Sequence, residues 1–294
     1  MQKLKIFLTG GSSFIGRNIK EQLSGKYEII APNHAELDLT DSDAVYNFLE
    51  KNQVDIVIHA ANIGGTWKQQ HVLGITHLNL RMFFNLVRAK PFFTRMITLG
   101  SGAEYDKGQS LVKVKEDDFG KYVPNDEYGL YKYVCAKYAE QVDYITHLRL
   151  FAVFGKYEDY EIRFISNAIC KALLKAPITM RQNVMFDYLY IDDFIRILDR
   201  CVVEKPKETF INVGRGEAID LSTIAEKVLR AIGYEVPVLI SSKGYGREYS
   251  CDTTRLQQIF PDVTYTHMDS AINQLVAYYK TVLSSINQQA LLEE

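Results

Sequence analysis

Thr9-Gly-Gly-Ser-Ser-Phe-Ile-Gly16 follows the apolar run Leu4-Lys-Ile-Phe-Leu8 directly and leads into the helical pattern Arg17-Asn-Ile-Lys-Glu-Gln-Leu23. Strand, glycine turn and helix in that order decide the fold. Gly10 permits a tight turn, Gly16 permits close packing of helix on strand, and the free N–H groups at the helix start suit a pyrophosphate. A glycine turn alone is weak evidence. Its place immediately after the first strand makes dinucleotide binding the expectation, since a turn without a ligand does not account for glycine at both ends.

The strand signature recurs along the chain in Glu28–Ile30, Asp55–His59, Arg95–Leu99, His147–Phe151 and Thr209–Val213. Several of these runs are nearly continuous in apolar residues, as parallel strands covered on both faces must be. Between them lie helical patterns. Thr40-Asp-Ser-Asp43 is a capping sequence for a helix through Phe48 and Leu49, and Asn125 is the expected cap of a helix running to about Val142. The rhythm predicts an α/β protein: a Rossmann-type, doubly wound parallel sheet over residues 1–155. After about Gly155 the pattern changes to helices over Ile162–Leu174, from Asp192, over Leu221–Ile232 and over Met268–Leu283, with an extended piece at Phe186–Tyr190. Residues 156–294 are therefore expected to form mostly a smaller, C-terminal substrate-binding lobe, with segments around 186–214 returning to the first domain.

Composition narrows the partners. The 294 residues are 47% hydrophobic and 24% charged, enough for a sizeable core. Lys and Arg number 34 against 36 Asp and Glu, so no global attraction to nucleic acid or to an anionic membrane is implied. No apolar segment has the length of a membrane span or a signal-peptide core, and a cytoplasmic location is the expectation. Cys135, Cys170, Cys201 and Cys251 are dispersed without a C-x-x-C pair, and the six histidines show no ligand spacing. Neither a metal site nor a redox dithiol is expected.

A tyrosine and a lysine four residues apart share one helix face, where the ammonium stabilises phenolate. With 19 Tyr in the chain the spacing arises by chance, and it occurs twice, as Tyr128/Lys132 and Tyr133/Lys137. Context favours the first. Tyr128-Gly-Leu-Tyr-Lys132 is followed by Glu140, and Leu99-Gly-Ser-Gly-Ala-Glu-Tyr105 ends a strand in a hydroxyl, Ser101, four residues before a tyrosine. A serine in Gly-Ser-Gly is also a plain turn former. Tyr133 is expected to be a packing residue.

Together these motifs resemble the extended short-chain dehydrogenase/reductase family, of the NAD-dependent epimerase/dehydratase type, whose turn reads T-G-G-x-G-F-I-G. Ser13 departs from it, standing where the family has its middle glycine. The resemblance implies that Ser101, Tyr128 and Lys132 are catalytic: Tyr128 moves a proton at the substrate oxygen, Ser101 hydrogen-bonds that oxygen, and Lys132 tunes Tyr128 and binds the nicotinamide ribose. It implies cofactor contacts from Gly10, Ser12, Ser13, Phe14, Ile15 and Gly16 of the turn. Asp38 and Leu39 match the adenine-binding segment, and Ala60, Ala61 and Asn62 the turn after the third strand. Asn79 matches a helix asparagine, while Leu150 and Val153 lie in Arg149-Leu-Phe-Ala-Val-Phe-Gly155, similar to R-P-x-N-V-Y-G. Asp187-Tyr-Leu-Tyr-Ile-Asp-Asp193 is similar to R-D-F-I-H-V-D-D, so the resemblance covers essentially the whole chain.

The Ala60–Gly65 turn resembles the GDP-fucose synthase type, which places Gly64 and Gly65 near the substrate. That type also carries a cysteine and a histidine that epimerise the ring, where this chain has Ala103 and Arg163, so double epimerisation is not expected. Gly102-Ala103 likewise lacks the acidic pair of the dehydratases. The resemblance leaves reduction of a 4-keto nucleotide-diphosphate sugar, with a nucleotide-sugar 4-epimerase that recycles bound NAD as the alternative and a non-catalytic dinucleotide-binding regulator as the second. Ala31-Pro-Asn-His34 offers no acid for a ribose 2′-hydroxyl, which points to NADP, with NAD as the other possibility, and puts Asn33 and His34 beside the 2′-phosphate. Arg163 and Arg247 are the expected cationic partners of the substrate diphosphate; both could also be solvated surface residues. A homodimer through Leu73–Arg88 and Asn125–Val142 is the family expectation.

Overall fold

Alternate residues of the central strands enter two different cores, the signature of a sheet covered on both faces. Ile6 and Leu8, Ile56 and Ile58, Ile97 and Leu99 pack on one side. Phe7, Val57 and Met96 pack on the other. The computed structural model of the chain describes residues 3–64 and 74–292.

Strands run in chain order β1 (Lys5–Thr9), β2 (Glu28–Ile30), β3 (Ile56–His59), β4 (Arg95–Ser101), β5 (Leu111–Val114), β6 (Ile145–Leu150), β7 (Val153–Phe154), β8 (Ile178–Met180), β9 (Met185–Asp187), β10 (Leu189–Tyr190), β11 (Phe210–Val213), β12 (Ala218–Asp220), β13 (Val238–Ile240) and β14 (Tyr249–Cys251). Six of them form one parallel sheet in the order β2-β1-β3-β4-β6-β11. Strand order reverses between β1 and β3, and in such sheets the ligand crevice opens at the carboxyl ends flanking that reversal. Helices α1 (Phe14–Leu23), α2 (Ser42–Asn52), α3 (Ile75–Arg88), α4 (Glu127–Ala139), α5 (Phe164–Leu173) and α6 (Ile191–Glu204) follow. Residues of α2, α3 and α4, among them Leu49, Phe83 and Cys135, cover one face of the sheet. Ile19 of α1 and Phe194 and Leu198 of α6 cover the other.

The remaining strands pair elsewhere. A mixed sheet runs β12-β9-β14-β5, while β7 pairs with β10 and β8 with β13. Strand β5 was not legible in the sequence: Leu111-Val-Lys-Val114 leaves the first domain's span to pair with β14. Beneath these strands α5 packs on α7 (Leu221–Ile232), with α8 (Met268–Val282) against both.

Both ends of α4 differ from expectation, and α5 spans Phe164–Leu173 rather than Ile162–Leu174. Asp126, rather than Asn125, caps α4, because its carboxylate accepts the Gly129 N–H at 2.9 Å. The helix then ends at Ala139, short of Val142. The expected start of the earlier helix at Leu73 lies outside the described residues; α3 begins at Ile75. All four cysteines are buried and unpaired. Among the described residues no helix is long and apolar enough to cross a membrane, and no three His, Cys, Asp or Glu side chains gather where they could hold a metal ion.

Candidate active site

The glycine turn folds as its sequence requires. Gly10 has φ +70°, and a Cβ there would stand 2.7 Å from the Ala61 nitrogen; at Gly16 it would stand 2.0 Å from the Gly10 carbonyl oxygen. Both positions must be glycine for α1 and the β3 turn to close on β1. Ser13 is different. Its φ of −74° is ordinary, and its Oγ caps α1 by accepting the Gly16 N–H at 3.3 Å. A serine is thus free of strain where the family has glycine, and its hydroxyl proton remains available to a ligand.

Two cavities meet at this turn. The first, about 400 Å³, is lined by Gly10, Ser12 and Ser13 of the turn, by Asn33, His34, Asp38 and Leu39 beyond β2, and by Ala61 and Asn62 beyond β3. Thr40 donates from its N–H and its hydroxyl to Asp38 Oδ1, both at 2.8 Å, and these bonds hold the carboxyl below its ordinary range. The second, about 470 Å³, is lined by Phe14, Ile15, Ala60, Gly64, Leu150 and Val153, and by Ser101, Ala103, Tyr128, Lys132 and Arg163. Ser13 and Asn62 line both. The two volumes are neighbours at the carboxyl ends of β1 and β3, as a dinucleotide laid across a sheet reversal demands.

Not every expected contact is on the walls. Gly16 packs beneath the turn. Asn79 is buried and lines neither cavity; it accepts the Ile63 N–H at 2.9 Å and donates to the Ile63 and Ile75 carbonyls at 2.8 Å, so it fixes the β3 turn from behind. Gly65 lies outside the described residues. Arg247 lines a third cavity, with Arg181 and Tyr245, which shares Lys107 with the second.

Ser101, Tyr128 and Lys132 come from β4 and α4 to one cavity. Lys132 is buried and donates to the Leu99 carbonyl, with its ammonium 5.8 Å from the Tyr128 ring centre. A second ammonium, Lys107, lies 5.4 Å from the same ring. Tyr133 packs on Phe119 at 4.9 Å and lines none of the three cavities. The spacing of the two Tyr-x-x-x-Lys pairs is identical; only the first faces the cavity.

Ser101 ends β4 above a buried charge cluster. Glu104 accepts the Ser101 N–H at 2.8 Å and receives Arg149 Nε at 2.6 Å and His147 Nε2 at 2.9 Å. Burial alone would raise the Glu104 carboxyl, but His147 and Arg149 outweigh it and hold it down to about 2. At the β3 turn, Thr9 Oγ1 accepts the N–H groups of Ala60 and Ala61, both at 3.1 Å, so its proton goes to His59 Nδ1 at 2.9 Å. Burial pushes His59 down to about 3, which keeps the ring neutral.

Four further polar residues on the second cavity escaped the sequence: Lys107, Glu158, Asp159 and Tyr249. Glu158 is 7% exposed, accepts Ser166 Oγ at 2.7 Å, and is pushed by burial up to about 7. None stands in a local pattern that marks it.

The sequence profile of the NAD dependent epimerase/dehydratase family matches residues 6–214. GDP-L-colitose synthase of Yersinia pseudotuberculosis is 25% identical, with 94% of this chain and 98% of that protein covered. GDP-L-fucose synthase of Azorhizobium caulinodans is 27% identical over 78% of this chain and 81% of its own. The structure of a GDP-L-fucose synthetase from Naegleria fowleri bound to NADP superposes with a TM-score of 0.83 at 17% identity, covering 97% of this chain and 96% of that one.

Proposed function

The chain belongs to the NAD-dependent epimerase/dehydratase family, and from that premise we propose that it is an NADPH-dependent reductase of a 4-keto nucleotide-diphosphate sugar. The observation that carries this is one cavity holding Ser101, Tyr128 and Lys132, joined through Ser13 and Asn62 to the cavity of the glycine turn. A regulator that only binds a dinucleotide has no use for that trio.

The residues present fit a nicotinamide dinucleotide. Gly10 and Gly16 leave no room for side chains where the turn closes, Asp38 keeps one carboxylate oxygen free of partners among the described residues, and Asn33 and His34 face the same cavity. When bound, the nicotinamide supplies hydride. Tyr128 gives its proton to the ketone oxygen, so that ketone, hydride and proton become the alcohol. Ser101 donates a hydrogen bond to that oxygen, and the Lys132 and Lys107 ammoniums flank the phenolate left on Tyr128. Ala103 and Arg163 supply no acid/base pair for ring epimerisation, in keeping with reduction alone.

Tyr128→Phe tests the assignment. Turnover of NADPH with 4-keto nucleotide sugars should fall at least about 10²-fold, with NADPH affinity nearly unchanged. Tyr133→Phe, the matched variant, should retain full turnover. An absorbance spectrum of the purified protein separates the alternative: tightly retained cofactor marks a 4-epimerase, an empty site a reductase. The same family reading carries a homodimer through α3 and α4, where Phe84 is 39% exposed; a light-scattering mass near the 33.7 kDa of one chain overturns it.

A further inference from the structure

Ser101 has a neighbour from the far end of the chain. Tyr249, on β14, lines the same cavity as Tyr128, and its phenolic oxygen lies 3.4 Å from Ser101 Oγ. Its ring is held by Phe151, with centres 4.9 Å apart, and by Phe186 at 6.0 Å. Burial pushes the Tyr249 phenol above its ordinary value, so it stays protonated and able to donate.

A serine hydroxyl has one proton and two lone pairs. The Ala103 N–H already donates to Ser101 Oγ at 3.1 Å and occupies one lone pair. We propose that Tyr249 is a positioning residue for the reduction: its phenol donates to the second lone pair of Ser101 Oγ, leaving the serine able only to donate. That polarity is the one a ketone needs, because a ketone oxygen accepts and cannot donate. The proposal therefore rests on the reductase reading. At 3.4 Å the contact is longer than the usual O–H···O bond of about 2.7–2.8 Å, and active-site hydrogen bonds of this kind tighten in the substrate complex.

Gly102 is the sequence counterpart of this contact. A Cβ at 102 would stand 2.5 Å from the Tyr249 hydroxyl and 2.6 Å from the Phe151 ring. The phenol and the residue that would follow Ser101 in an acidic pair compete for one volume. Here the phenol has it.

Tyr249→Phe keeps the ring packing and removes only the hydroxyl. Two readouts decide. With tyrosine labelled at the hydroxyl-bearing ring carbon, the Tyr249 resonance is identified by its loss in Tyr249→Phe, and Ser101→Ala should shift it from its wild-type position. An unshifted resonance overturns the contact, and this measurement needs no substrate. In steady-state assays with NADPH and a panel of 4-keto nucleotide sugars, Tyr249→Phe should lower kcat about tenfold with KM little changed. In Ser101→Ala the same substitution should cost nothing further. Independent, multiplying losses, or an active wild type matched by Tyr249→Phe, overturn the role of Tyr249 alone. A wild-type enzyme that turns over no sugar in the panel instead overturns the reductase reading.

Discussion

Glu104 divides its carboxylate between a charge and the active-site backbone: Oε2 meets Arg149 Nε at 2.6 Å, while Oε1 accepts the Ser101 N–H at 2.8 Å. Arg149 and Glu104 are both essentially without solvent exposure. A buried pair of this kind stabilises little compared with apolar packing, but breaking it strands a charge. Its other consequence is geometric, since Ser101, which lines the cavity of Tyr128 and Lys132, is tied to the same carboxylate.

Glu104→Gln should accordingly destabilise the fold by about 3–5 kcal/mol, leaving the Arg149 guanidinium uncompensated. The pH dependence has a definite sign. Because the folded-state carboxyl is held down to about 2 against an ordinary 4.5, its contribution is full above pH 4.5 and is lost as pH falls toward 2. Urea unfolding of both proteins across that range should show the wild-type advantage shrinking with acid. A gap that stays constant overturns the assignment of an ionised Glu104.

Glu158 has the opposite sign. Burial raises its carboxyl to about 7 from 4.5, with Ser166 and Arg163 only partly offsetting, so the favourable contribution of the neutral acid is full below pH 4.5 and lost as pH rises through 7. Glu158→Gln mimics the neutral acid. It should leave stability nearly unchanged at pH 4.5 and raise it progressively toward pH 8, by an amount on the order of 3 kcal/mol at most. Equal stability of both proteins at pH 8 would refute the buried acid.

How much of this was legible in the sequence follows from where each signal is encoded. The sheet announces itself locally, because burial on both faces forces continuous apolar runs such as Ile6-Phe-Leu8 and Ile56-Val-Ile58. The glycine turn is partly local, since Gly16 answers to the Gly10 carbonyl within the turn and Gly10 to its own φ of +70°, although the backbone that Gly10 must clear is that of Ala60 and Ala61. Ser101, Tyr128 and Lys132 needed only a strand end and one helix face. Tyr249 was hidden because its neighbour is remote, a serine 148 positions earlier; Glu158 meets Ser166 only 8 positions on, but no pattern around it marks a buried carboxyl. Asn79 was legible as a motif residue, yet its bonds run to the chain rather than to a cavity.

Cofactor choice turns on the loop after β2. The acid nearest this loop, Glu36, accepts the Asn33 N–H at 2.7 Å and lines no part of the first cavity. Asn33 and His34 do line it. His34→Ala should weaken NADPH about tenfold and leave NADH unaffected, whereas Asn33→Asp should favour NADH by presenting an acid to the ribose hydroxyl. Titrating both cofactors against the three proteins checks this. Tighter NADH than NADPH binding by the wild type would reverse the preference.

The two arginines expected to hold a diphosphate occupy different cavities, which sharpens what each should do. Arg163, at the N-terminal edge of α5, lines the cavity of Tyr128 and Ser101; Arg247 lines the adjoining one with Arg181. Lys107 lines both and is the seam a nucleotide sugar must cross if its ring sits by Tyr128 and its nucleotide by Arg247. Arg247→Ala should then weaken nucleotide-sugar binding by about 1.5–3 kcal/mol, the worth of a charge-assisted bond, with kcat and NADPH affinity held. Arg163→Ala should cost binding and kcat together, because it lines the same cavity as Tyr128. Lys107→Ala should resemble Arg163→Ala, since it also flanks the Tyr128 ring. Calorimetric titration with the nucleoside diphosphate alone separates the contributions: Arg247→Ala should weaken it, Arg163→Ala less so. Unchanged affinity in both arginine variants would mean that the substrate is not a diphosphate sugar.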